Sequence, residues 1–498
     1  MCCVAPTFIS YQPYSFRWDD SVYLEQSIAV SRAFWAGSPH GIERIREIRS
    51  AMYGRGVRPP AMTVLGLPWG ALRSWDAVGK CFFTLACWIG LVAALCLFLL
   101  GRIGIQPLYF MLASLCVGAA LGPWPPNSLA HSDATAFMAD GLFAWTSFAA
   151  LLLIPYEGRT GNSSTVHTVL RGILWGILLS LGAMTKINFL YFVALILPVL
   201  FLLRYRRGGL RSVVAALAGF LAGSGPSMLY LAKYGRTSIL YGKASSFGAI
   251  SNFYENSFLS FLRGNLRGSP GLWLFALGVG SALVFIVFKC RTRFLCLDAL
   301  PLLIVGGFGL IIMSSPNREL RFSFPLIVAL PFLLAVLLSS GSEPVPRPVA
   351  ALATGFVFLI FCVSAWPTRY RAQRADSLAK ADAVLAEASR CHDNTILMAT
   401  DSPSLNDSLL RVAIAVSGLR SPIEVNELGW SSIYGVAISE DYRALRESDL
   451  VVFQDDRVSR PPFTNLRVPA YRSYIAQRKQ LVPIQVSGDV LAFSKHCP

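Results

Sequence analysis

The chain has 498 residues, with 44 Lys and Arg against 28 Asp and Glu and a formal net charge of +16, yet only 14% of its residues are charged and 54% are hydrophobic. A mean hydropathy of +0.52 leaves too little polar surface for a nucleic-acid binder, which gathers Lys and Arg on a polar face, and it excludes the soluble and disordered classes as well. Apolar runs long enough to cross about 30 Å of hydrocarbon recur along most of the chain, so the pattern is that of a polytopic α-helical membrane protein.

Residues 1–76 form a first charged segment with a net charge of only +2. Within it, Phe16-Arg17-Trp18-Asp19-Asp20-Ser21-Val22-Tyr23 places two adjacent carboxylates between aromatic residues suited to a membrane interface. One acid could serve as general base on an acceptor hydroxyl or amine while its neighbour binds acceptor or metal, each like charge raising the other's pKa. Equally, one of them could simply cap a helix from about Ser21 to Trp35. Further on, Arg58 precedes Pro59-Pro60, a stiff extended backbone that suits fixed presentation of a guanidinium to a phosphate, with a lipid headgroup contact as the alternative.

Residues 77–366 carry a net +13 and read as ten spans, roughly 78–100, 106–122, 136–154, 169–185, 187–203, 212–232, 271–288, 296–313, 322–340 and 349–366. Lys and Arg are retained on the cytoplasmic side of short loops. Arg204, Arg206, Arg207 and Arg211, with Lys289, Arg291 and Arg293, share a loop parity with Arg102, Arg159, Arg171 and Arg347, so these loops face the cytoplasm. The opposite loops, 123–135, the turn at Lys186, 233–270 and 314–321, face out, as do 1–77 and 367–498. An outward first segment that lacks a signal sequence implies a further apolar helix upstream of Met1, eleven spans in all; a genomic stop codon before Met1 with no apolar stretch of about 20 residues overturns that expectation.

The outward loops hold the remaining candidates. His131 and Asp133 lie in loop 123–135, and Asp140 lies one to two turns into the next span, where an acid is costly and therefore a functional candidate. Lys186 sits in the turn Gly182–Asn188, and Arg318 and Arg321 sit in Asn317-Arg318-Glu319-Leu320-Arg321-Phe322-Ser323-Phe324-Pro325. Each cation alone could only snorkel to the interface. With Arg58 they share the side of the paired aspartates, a set suited to a phosphate leaving group facing an acceptor-activating acid.

Residues 367–498 carry a net +1 and read as a small α/β domain, large enough to bury its own core. The patterns predict helices over 372–390, 405–416 and 469–479, strands over Thr395–Ala399 and Asp449–Phe453, and a hairpin of Leu481–Val486 with Val490–Ser494 across Ser487-Gly488-Asp489. Asp401, Asp455 and Asp456 follow strand ends, where ligands often bind, although solvated loop carboxylates are the commoner outcome. Of eleven cysteines none has metal spacing; Cys391 and Cys497 share this domain and could form a disulfide in an oxidising compartment.

The order and sidedness of these motifs over residues 16–340 resemble the GT-C superfamily of membrane glycosyltransferases, and within it the protein O-mannosyltransferase and lipid A aminoarabinose transferase branch. That resemblance implies a polyprenyl-phosphate-linked sugar donor entering from the bilayer, an inverting transfer on the outer leaflet, and a glycan, lipid or protein acceptor. It makes Asp19 the catalytic base and Asp20 the second residue of the pair, with Arg58 on the lipid phosphate; Lys186, Arg318 and Arg321 match less closely. Two departures stand out: no helix precedes the acidic pair, and Asp20 replaces the Glu common in the mannosyltransferases. Some superfamily members coordinate a divalent ion here and others work without one; Asp20, His131, Asp133 and Asp140 could contribute ligands if their loops converge. A transporter or lipid-linked sugar flippase is the alternative, for which no internal repeat is visible. A scaffold whose outer domain binds a protein partner is a third.

Overall fold

A computed structural model of the chain describes residues 18–35, 41–53, 60–64, 77–103, 139–159, 164–186, 189–247, 304, 371–400, 405–417, 423–428, 431, 436–454, 467–478 and 480–497. The chain divides into two compact units: one contains residues 55–62 and 85–366, the other residues 3–54, 63–84 and 367–498.

In the first unit the described helices are the greater part of α4 (Ala77–Arg102), then α5 (Ala139–Arg159), α6 (Thr165–Thr185) and α7 (Leu190–Phe247). The described residues of the expected spans 78–100, 136–154, 169–185, 187–203 and 212–232 are helical; the other spans lie outside the described residues apart from Ile304. Among the described residues α6 is long and apolar enough to cross a membrane, and a bent pair within Leu190–Gly235 would supply a second such element. Ser164 caps α6, its Oγ accepting from the His167 N–H, which starts the helix before the expected boundary.

α7 departs from expectation in two ways. The loop expected after residue 203 is a sharp break within continuous helix, at Gly208 and Gly209, and Gly209 has a φ of 59° that favours glycine. Phe201 packs its ring 6.1 Å from Trp175, while the Phe220 carbonyl lies against the adjacent Gly176. Both halves of α7 therefore reach the same turn of α6, so the chain reverses at the glycine pair. Helix also continues to Phe247, well into the expected outer loop 233–270.

Close approach of α6 and the second half of α7 rests on two pairs of glycines. Gly172 and Gly176 face the backbone of Ala216 and Phe220, and Gly219 and Gly223 face the backbone of Val169 and Ile173. A Cβ would stand 2.2 Å from the Ala216 carbonyl oxygen at Gly172 and 2.1 Å from that of Val169 at Gly219. Such small-residue faces let helices associate by van der Waals contact where lipid removes the hydrophobic drive. Ser180 and Ser227 add a hydroxyl pair at 2.8 Å across the same two helices.

The second unit joins the start of the chain to its end. Its N-terminal helices are α1 (Trp18–Trp35) and α2 (Ile42–Tyr53). A single turn, α3 (Ala61–Val64), follows at the boundary of the units. The C-terminal part runs α8 (Arg371–Arg390), β1 (Thr395–Met398), α9 (Asp407–Ser417), β2 (Glu424–Glu427), α10 (Ile438–Glu447), β3 (Leu450–Gln454), α11 (Val468–Ala476), β4 (Val482–Ser487) and β5 (Val490–Ser494).

These strands form one sheet in the order β2-β1-β3-β5-β4, parallel across β2, β1 and β3 and antiparallel across β3, β5 and β4. Every residue of β3 is buried, the mark of a central strand covered on both faces. One core gathers Leu397, Leu445, Val451, Phe453, Tyr471 and Ile475. The helices and hairpin expected here are present, while β2 and α10 are additional: β2 is four mostly polar residues with only Val425 buried, too short to carry an alternation signal.

Candidate active site

The acid pair lies in the second unit. Asp19 and Asp20 lie within α1, helical from Trp18, instead of preceding a helix that starts at Ser21. Further along α1, Tyr23, Leu24, Ile28 and Ser31 are buried, and the helix packs on α9 of the α/β domain, whose Leu409, Leu410, Val412 and Ala413 are buried in turn. Asn406 fixes the start of α9, its side-chain oxygen accepting from the Leu409 N–H at 2.9 Å.

Polar ties accompany that contact. The Arg411 guanidinium lies 3.4 Å from Glu25 of α1 and 3.4 Å from Asp407 of its own helix, and it donates to the Val425 carbonyl on β2. Arg32, near the other end of α1, donates to the Ala415 carbonyl. Beside Arg411 is an open cavity of about 310 Å³ lined by Ile414, Ile423, Glu424, Val425 and Asn426.

In the first unit, Lys186 ends α6. Its backbone is extended, its N–H donates to Gly182 at 3.0 Å, and its carbonyl accepts from Phe189 at 3.0 Å. Gly182 is required because the Phe189 ring occupies the space of a Cβ, 2.3 Å away. The Lys186 ammonium stands 5.9 Å over the Phe143 ring, within a cluster that includes Phe189 and Phe192. Asp140 lies within α5, less than one turn before Phe143. Lys186 and the acid-bearing start of α5 therefore share one end of this bundle. Arg58, His131, Asp133, Arg318 and Arg321 lie outside the described residues.

The opposite end of the same helices holds a charged cluster that the charge count alone does not reveal. Arg204, expected as a solvated loop cation, is 2% exposed and paired with Glu157, itself 1% exposed. Arg171 approaches Glu157 at 3.7 Å, Arg207 donates to the Gly158 carbonyl, and Arg204 lies 6.0 Å over the Trp175 ring. Arg206 and Arg211 are exposed, as a charged loop requires. Glu157 was the available signal: an acid among arginines at the end of an apolar run invites a buried pair. Arg171 and Lys186 are separated by about 22 Å along α6, so the two charged groups lie toward opposite ends of the helix.

The α/β domain contains the cystine that the sequence left open: Cys391 and Cys497 are bonded, with Cα atoms 4.6 Å apart. Next to it Asp449 accepts from the N–H groups of Asn394 and Thr395, and Asp393 accepts from Ser494 at 2.7 Å. Asp401, Asp455 and Asp456 lie outside the described residues. Among the described residues no group of three or more His, Cys, Asp and Glu is placed to hold a metal ion.

No protein-family profile matches the chain, and no curated protein sequence matches it. Solved structures do match. The crystal structure of ArnT from Cupriavidus metallidurans in the apo state superposes with a TM-score of 0.56 at 13% identity, covering 99% of this chain and 96% of that one. The structure of ArnT from the same organism bound to undecaprenyl phosphate superposes with a TM-score of 0.53 at 14% identity, over 99% and 96% of the two chains. The fold of this chain is ArnT-like over nearly its whole length.

Proposed function

We propose that the chain is an inverting glycosyltransferase that moves a sugar from a polyprenyl-phosphate donor to a glycan, lipid or protein acceptor at the outer face of the cytoplasmic membrane. The observation that carries this reading is the end-to-end likeness of fold to a protein whose structure holds undecaprenyl phosphate. Three features support it. An acid pair opens α1, a cation ends α6 beside the start of α5, and the α/β domain has a disulfide of the kind kept in oxidising compartments. The ten-span topology belongs to the same proposal.

In this mechanism the Asp19 carboxylate takes the proton of the acceptor hydroxyl or amine as that atom attacks the anomeric carbon. A new bond forms at one face of the sugar while the anomeric carbon–phosphate oxygen bond breaks at the other, inverting the configuration. The bonding pair leaves on the polyprenyl phosphate, whose charge Arg58, Lys186, Arg318 and Arg321 balance. Asp20 orients the acceptor. His131, Asp133 and Asp140 are assigned to substrate binding.

Two measurements test the reading. Mass spectrometry of lipids from a strain lacking the gene should reveal one accumulated polyprenyl-phosphate sugar. With that lipid as donor in proteoliposomes, Asp19→Asn should lower turnover by about a thousandfold, while Asp376→Asn on α8 should leave it unchanged. Equal turnover of the two variants removes the assignment. Donor that accumulates only on the inner leaflet favours the flippase reading.

A further inference from the structure

We propose that Arg411 is a positioning residue for the acid pair. Through Glu25 it fastens the helix that carries Asp19 and Asp20 to the α/β domain, so that the domain and the acids move as one body; the proposal rests on the glycosyl-transfer reading above. Glu25 lies about one and a half turns beyond Asp20 on α1. Its carboxylate meets a guanidinium whose other contacts, Asp407 and the Val425 carbonyl, belong to a helix and a strand of the domain. Three acceptors on three elements are thus read by one planar fork, a geometry that a lysine ammonium does not reproduce.

The arrangement suits alignment more than stability. Arg411 and Glu25 keep 31% and 18% of their side chains exposed, and pairs of that kind add little to folding free energy. The buried apolar faces of α1 and α9 hold the helices together, but apolar contact tolerates sliding and rotation. Arg32 donating to the Ala415 carbonyl supplies a second fixed point toward the far end of α1. Two polar ties about two turns apart on α1 define both the slide and the rotation of the helix–helix contact. The helix start that bears the acids is thereby referenced to the sheet through β2.

Because misplacing a reacting group by about 1 Å can cost as much as a hundredfold in rate, the tie should show in turnover more than in donor affinity. The experiment uses the full chain in proteoliposomes with the lipid-linked sugar from the deletion strain as donor. It compares Arg411→Gln, Arg411→Lys, Glu25→Gln, the Arg411→Gln/Glu25→Gln double variant and Lys380→Met. The last removes the Lys380–Asp489 tie at 2.7 Å, elsewhere in the same domain.

Arg411→Gln and Glu25→Gln should each lower kcat about tenfold with KM within about twofold, the double variant no more than Arg411→Gln alone, and Arg411→Lys by an intermediate factor. Hydrogen exchange of the amides of residues 22–35 should quicken about fivefold in Arg411→Gln while α6 is unchanged. Lys380→Met should keep the wild-type kcat. Wild-type kcat and unchanged α1 exchange in Arg411→Gln, with Asp19→Asn inactive, overturn this proposal and leave the enzymatic reading standing. An equal loss in Lys380→Met, or multiplicative losses in the double variant, overturns it as well. An active Asp19→Asn overturns the enzymatic reading and the positioning role together.

Discussion

At Asp489, in the turn of the β4–β5 hairpin, Lys380 donates at 2.7 Å, Gln454 at 2.9 Å and Ser487 at 3.1 Å. Burial pushes this carboxyl up, but the hydrogen bonds from Lys380 and Gln454 outweigh it and hold the group below the usual range. A depressed folded-state value means stability that is fully present above the unfolded value of about 4 and is lost as pH falls through the folded one. Asp489→Asn should therefore lower the stability of the protein by about 1 kcal/mol at pH 7 and by progressively less below pH about 4, measured by denaturant unfolding across that range. Asp449 is held down in the same direction: burial raises it, and hydrogen bonds from Thr395 and Asn394 prevail. Asp393, raised by burial, acts in the opposite sense. The turn itself was legible, because Ser487-Gly488-Asp489 between two apolar runs is a hairpin signal. Its partner Lys380 was not, since nothing local links residues 109 positions apart.

Among the elements, α6 and α7 show most clearly what a hydropathy pattern contains and what it omits. Their apolar length located them, yet hydropathy does not distinguish a lipid-facing glycine from one at a helix crossing. The spacing Gly172-x-x-x-Gly176 and Gly219-x-x-x-Gly223 was the available signal. Gly176→Ala and Gly219→Ala place a methyl against a backbone carbonyl and should each lower the unfolding midpoint in detergent by several degrees, equivalent to about 1–3 kcal/mol. Gly225→Ala, where no atom of the described residues lies within 4 Å of the added carbon, should be neutral or slightly stabilising. Equal effects at all three positions would mean that the crossing is not held by glycine. The reversal at Gly208-Gly209 was hidden for a related reason: four arginines around it read as a loop, whereas one of them, Arg204, is buried against Glu157. Charge type sets the side of a loop, but pairing decides whether a given charge reaches water.

For the whole molecule, the α/β character of residues 367–498 was readable because strand and helix periods alternate there over short distances. The packing of α1 on α9 was not, because it joins residues separated by nearly the whole chain and leaves no mark in either local pattern. The same distance explains why the sequence proposes an acid pair yet says nothing of Arg411, which looks like any other arginine on an amphipathic helix. The cystine was legible as a possibility, two thiols in one segment, and the fold brings the ends of that segment together. Replacing both Cys391 and Cys497 by serine should lower the stability of the second unit by roughly 2–5 kcal/mol, read as earlier unfolding of residues 395–494 in hydrogen exchange. Because that bond spans 106 positions, the entire sheet, from Thr395 to Ser494, lies inside one covalent ring. A single proteolytic cut anywhere between the two cysteines opens the ring without releasing a fragment, so a nicked protein should migrate as one band on a non-reducing gel and as two after reduction.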